Sequence, residues 1–125
     1  MAIPSLSDVL LGQYPAGYRG VPLIARASGY TFVLADAGRG ALKDVSTAVT
    51  YTIPPNSSVA FDIGTILTVV NGNASSNISL AAGAGVTVRL AGSSTTGPRT
   101  VTPWGYATAI KIATNVWLVS GPGVA

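Results

Sequence analysis

From Tyr30 onward the chain holds no direction for long. Gly, Pro, Asn or Asp interrupts the apolar pattern about every eight to twelve residues, and no helical period outlasts about two turns. Segments that short and rich in Val, Ile, Thr and aromatic residues bury one face by pairing edge to edge, so they read as strands. Val49-Thr50-Tyr51-Thr52-Ile53 is the clearest, with Val49, Tyr51 and Ile53 on one face and threonines on the other. Further strands are predicted at 30–34, 59–61, 65–70, 77–81 and 86–90, with a closing hairpin of 106–113 and 116–119 across Thr114-Asn115. Turns are expected at 35–40, 54–58, 71–73 and 82–85, with a Ser/Thr/Gly/Pro loop over 92–103. The predicted class is all-β: a compact antiparallel β-sandwich, jelly-roll-like unit or small barrel of about eight short strands.

Residues 1–29 differ. Pro4, Pro15, Pro22 and four glycines withhold donors and raise the ordering cost, so this stretch is predicted to be an extended arm ahead of a β domain at 30–125. Leu10, Leu11, Tyr14 and Tyr18 give the arm apolar anchors, and Arg19 and Arg26 give it charges for an acidic partner surface. Met1–Ser7 carries no Lys or Arg and the apolar run stops at Gly12, so no signal peptide is expected, nor any membrane span.

Charge is scarce: four Asp, seven Lys and Arg, no Glu. A surface with so few charges is expected to be covered largely by neighbouring subunits, since unpaired charges are costly to desolvate. The net charge of +3 is spread from Arg19 to Lys111 without a basic cluster, so no nucleic-acid partner is expected.

The chain contains neither His nor Cys. That excludes imidazole and thiol catalysis and the usual metal ligands, so no catalytic residue, metal or cofactor is predicted. Asp36 and Asp44, the one conceivable carboxylate pair, read as solvated turn or cap residues. Gly38-Arg39-Gly40 and Gly83-Ala84-Gly85 lack the ending and following helix of a phosphate loop. The Asn-x-Ser triplets at Asn56, Asn73 and Asn77 read as turn chemistry. Arg99, Trp104 and Tyr106, in and beside the 93–103 loop, are the remaining interaction candidates. The predicted core is Val59, Phe61, Ile63, Ile66, Val69, Ile110, Ile112, Trp117 and Val119, with Lys111 alternating outward.

Tyr51-Thr52-Ile53-Pro54-Pro55-Asn56-Ser57-Ser58-Val59-Ala60-Phe61, followed by Ile63-Gly64-Thr65, resembles a segment common in tailed-bacteriophage structural proteins. Ile78–Thr87 and then Tyr106–Gly121 follow in order, with an aromatic-Ala-x-x-x-Lys-Ile-x-x-x-x-Trp ending. The resemblance spans about 30–121 and implies a β module of tail fibres, tail tips and head-surface proteins, commonly trimeric. The Ser93–Pro103 loop is longer and richer in Thr and Pro than that pattern. Because the chain starts at Met1 with one module and no shaft, the leading expectation is a trimeric capsid decoration protein. It would be made in the host cytoplasm and held on the major capsid protein, or another virion protein, by its arm. The alternative is a tail-fibre or tail-tip knob that binds a cell-surface glycan through Trp104, Tyr106 and the loop.

Overall fold

The computed structural model describes residues 20–125, and within them ten strands form two mixed sheets. The larger sheet runs β1 (Leu23–Ala25), β3 (Gly40–Lys43), β5 (Ile66–Asn71), β9 (Tyr106–Ala113), β10 (Val116–Ser120), β7 (Thr87–Leu90). The smaller runs β2 (Tyr30–Thr31), β4 (Val49–Ile53), β6 (Ile78–Ala82), β8 (Arg99–Val101). The all-β expectation holds, but the antiparallel one does not: five of the eight ladders are parallel. From β1 to β8 each strand joins the opposite sheet from its predecessor, so neighbours in sequence are not neighbours in a ladder. Gly40 faces Thr68 while Val49 faces Ile78. Only β9 and β10 form the expected hairpin, turning at Asn115, whose φ of 62° suits asparagine.

Local differences follow from packing. The segment assigned to the arm contributes β1, paired with β3 in parallel; residues 1–19 lie outside the described part. Predicted strand 30–34 stops at Thr31, and Leu34–Asp36 turns as a 3-10 helix instead. There the Asp36 carboxylate accepts the Val33 amide at 2.8 Å and the Tyr30 hydroxyl at 2.6 Å. Asp36 is therefore a buried capping group rather than a solvated one, while Asp44 is exposed. Residues 59–61 form no strand, β8 lies within the expected 92–103 loop, and β3 begins at the end of the expected 35–40 turn and runs into a stretch without an expected strand.

Both sheets feed one core. Tyr51, Ile53, Ile78, Leu80 and Val101 come from the smaller sheet; Leu67, Val69, Val88, Trp117 and Val119 come from the larger. Phe61 meets the Trp117 ring edge-on at 5.6 Å, and Tyr51 donates its hydroxyl to the Arg26 carbonyl at 2.6 Å. Burial, with the nearby Asp44 charge adding to it and Arg26 opposing, pushes the Tyr51 phenol up to about 12. The folded state then keeps a proton that the unfolded chain gives up near pH 10, so stability should fall from about pH 10 towards pH 12. Phenolate absorbance during an alkaline titration should show a late component that Tyr51→Phe removes. Loss in Tyr51→Phe of absorbance near the free-tyrosine position, with the late component unchanged, would contradict the burial.

Candidate interaction surface

In β9 the inward positions are Ala107, Ala109 and Lys111, and the outward ones are Tyr106, Thr108, Ile110 and Ile112. This reverses the predicted face. Trp117 stands opposite Lys111 and Val119 opposite Ala109, so all four share the inner side. The alanines suit an inner face already occupied by Trp117 and Phe61. Lys111, 2% exposed, follows because its ammonium finds two acceptors at 2.7 Å, Asn56 Oδ1 and the Phe61 carbonyl. Asn56 in turn donates its amide to Asn115 Oδ1 at 2.7 Å. Ile63, Ile66, Ile110 and Ile112, expected in the core, are exposed; Phe61, Val69, Trp117 and Val119 are buried as expected, and Val59 packs partly against them.

The residues behind the resemblance thus meet as one cluster: Asn56, Phe61, Lys111, Asn115 and Trp117 tie the 54–61 excursion to the terminal hairpin. Their visible work is to hold the fold. A second buried lysine does the same elsewhere. Lys43, fully buried, donates to the Val45 and Ser75 carbonyls at 2.7 Å and to Asn71 Oδ1 at 3.5 Å. Asn71 Nδ2 donates to the Ser76 carbonyl and, across to the smaller sheet, to the Val101 carbonyl.

With its isoleucines turned outward, the larger sheet presents an outer face nearly free of charge, in register. One row is Ala25, Leu42, Val70 and Tyr106; a second is Leu23, Gly40, Thr68, Thr108 and Ser120; a third is Ile66, Ile110, Leu118 and Arg89. Leu23 Cδ2 fills the space a side chain on Gly40 would need. Arg89 is the single charge in these rows, and its Nε is buried without a hydrogen-bond partner among the described residues. Branched aliphatic side chains here remain partly in water, with Ile110 36% exposed. Removing the exposed apolar part of this face from water is favourable at roughly 25 cal/mol per Å².

The predicted interaction residues separate. Leu10, Leu11, Tyr14, Tyr18 and Arg19 lie outside the described residues. Arg26 lies over the Tyr30 ring at 3.9 Å and pairs with Asp36 at 3.9 Å, so it is engaged within the fold. Burial and the hydrogen bond to Asp36 raise the Tyr30 phenol above its ordinary value. Arg99 is buried and spends its guanidinium on the Thr96, Gly97 and Pro98 carbonyls, which corrects its reading as a contact residue. With Lys43 and Lys111, three of the seven cations are inside the fold.

Trp104 and Tyr106 do reach solvent, at 70% and 50% exposure. Trp104 sits at φ 63°, a left-handed conformation that costs a bulky residue on the order of 1 kcal/mol or more. It is held there by its amide donating to the Asn71 carbonyl, while Gly105 donates to Thr102 and accepts from the Asn71 amide, each at 2.9 Å. A Cβ on Gly105 would stand 2.8 Å from the Pro122 carbonyl, so the turn is closely packed from behind. What the sequence hid was the outer face, because the isoleucines that form it looked like core.

No helix among the described residues is long and apolar enough to cross a membrane, and no cluster there has the His, Cys, Asp or Glu groups to hold a metal ion. Compared with known proteins, the chain matches no family model, no curated protein and no solved structure.

Proposed function

We propose that the protein is a non-enzymatic structural subunit of a bacteriophage virion that works as a homo-oligomer. Its preferred form is a homotrimer decorating the capsid surface. The observation that carries the assembly part is the outer face of the larger sheet: aligned rows with one charge, and isoleucines left partly in water. Strands spaced about 4.8 Å apart and rising about 3.3 Å per residue give this face several hundred Å². That is the scale of one partner's share, about 800 Å², in a standard interface. Burying it against further copies removes the apolar exposure.

The virion part rests on the resemblance, whose residues form one hydrogen-bonded and aromatic cluster. In this reading the two sheets are the layers of a β-sandwich, and the segment ahead of β1 joins the subunit to the major capsid protein. Quantitative mass spectrometry of purified particles tests it. A copy number equal to the major capsid protein, or a simple fraction of it, is expected. A few copies per particle would move the protein to the tail, and absence from particles would overturn the virion reading.

A further inference from the structure

From β1 to β6 the chain winds around the two sheets as stacked rungs, each with one strand in either sheet: β1 and β2, β3 and β4, β5 and β6. The last rung is covered, β5 by β9 and β6 by β8. The sheet edges on that side are covered in turn. Along β7, Leu90 donates its amide to the Thr95 carbonyl and Gly97 donates to Val88; along β8, Thr100 exchanges two bonds with Ala125. The first rung is different: among the described residues, β1 and β2 each end their sheet without a cover. Gly40 donates to the Pro22 carbonyl, Arg26 to Leu42 and Phe32 to Thr52. Alternation therefore turns the backbone groups of Leu23, Ala25 and Thr31 to the open side. Val21, Val33 and Leu34, flanking the two edge strands, are exposed apolar side chains.

We propose that residues 1–19 of the same chain cover this end as a further rung, with Val9-Leu10-Leu11 along the free edge of β1 in parallel and the Tyr14–Tyr18 stretch passing β2. Length and connection select this occupant. Leu23 faces Gly40, seventeen residues on, and Tyr30 faces Tyr51, twenty-one residues on, so the nineteen residues ahead of Gly20 supply one rung. The segment runs almost directly into β1, which keeps it near both edges at high effective concentration. Covering the edges gives partners to outward amides and carbonyls that are otherwise a template for a foreign strand. Pro15 lacks a donor, so it suits an outermost strand and discourages another from adding. The open edges call for this cover whether or not the subunit sits on a capsid.

Hydrogen exchange of the full chain, read by mass spectrometry, tests this. Peptides within residues 1–19 should contain amides that exchange at least about a hundredfold more slowly than in free peptide. Ala25→Pro removes an outward amide and spares the bonds between β1 and β3, so it should return those amides to the free rate while β5 and β9 stay protected. Leu10→Asp combined with Leu11→Asp, which alters nothing in residues 20–125, should in turn speed exchange in the peptide that holds Leu23 and Ala25. Free-peptide exchange throughout residues 1–19 of wild type, or protection there that survives Ala25→Pro, would overturn the proposal. If Ala25→Pro loosens β5 and β9 as well, the leucine pair decides, and unchanged exchange at β1 overturns it. Protection of residues 1–19 that vanishes on dilution would also overturn it, because the segment would then lie on a neighbouring copy.

Discussion

Replacing Lys111 with alanine lowers the stability of the domain by about 3 kcal/mol, against less than about 0.5 kcal/mol for an ordinary surface lysine. The substitution takes a buried ammonium from Asn56 Oδ1 and the Phe61 carbonyl, and no other donor to either oxygen exists among the described residues. It also leaves a void where the lysine stem lay beside the strand that faces Trp117. Lys111→Met restores the stem but not the two hydrogen bonds, so it should recover only part of the loss. Urea unfolding followed by Trp117 fluorescence measures both variants. A midpoint for Lys111→Ala equal to wild type would mean that the lysine is at the surface after all.

Ile110→Lys is expected to leave the fold intact and separate the subunits. Ile110 is directly opposite Ile66 on one side and Leu118 on the other, on the outer face. Its side chain makes no part of the core, so a lysine there costs the isolated subunit little. Between subunits the same ammonium would be buried in an apolar contact without a partner, at a cost of several kcal/mol per interface, or a loss of association of at least about a hundredfold. Circular dichroism should match wild type while the sedimenting mass falls to that of one chain, 12.5 kDa. Unfolding of the variant would instead place Ile110 in the core.

The contrast between these two positions shows where sequence reading works on this chain and where it does not. Val49–Ile53 was legible because its alternation is unambiguous, and the β9–β10 hairpin because Thr114-Asn115 is short enough to dictate it. In Ile110-Lys111-Ile112 the hydrophobic ranking points the wrong way. The parity of β9 is decided by Trp117 and by acceptors some fifty residues earlier in the chain, Asn56 and Phe61, which no local pattern reveals. Parallel pairing was equally hidden. Turn signals between β4 and β5 or β6 and β7 look like hairpin turns, yet the strands they connect belong to different sheets. β1 is too short to stand out and β3 opens on Gly-Ala, and they are strands because a parallel neighbour supplies their hydrogen bonds. The exposure of Trp104 and Tyr106 is legible from the Pro-Trp-Gly turn. The outer face was not, because its isoleucines had been assigned inward.

The native mass of the full chain in solution tests the central claim most directly. An oligomer, three times 12.5 kDa in the preferred form, which dissociates when Ile110 becomes lysine, is the result this account predicts. A species of 12.5 kDa that persists at every concentration, with the isoleucine face open to solvent, would contradict it.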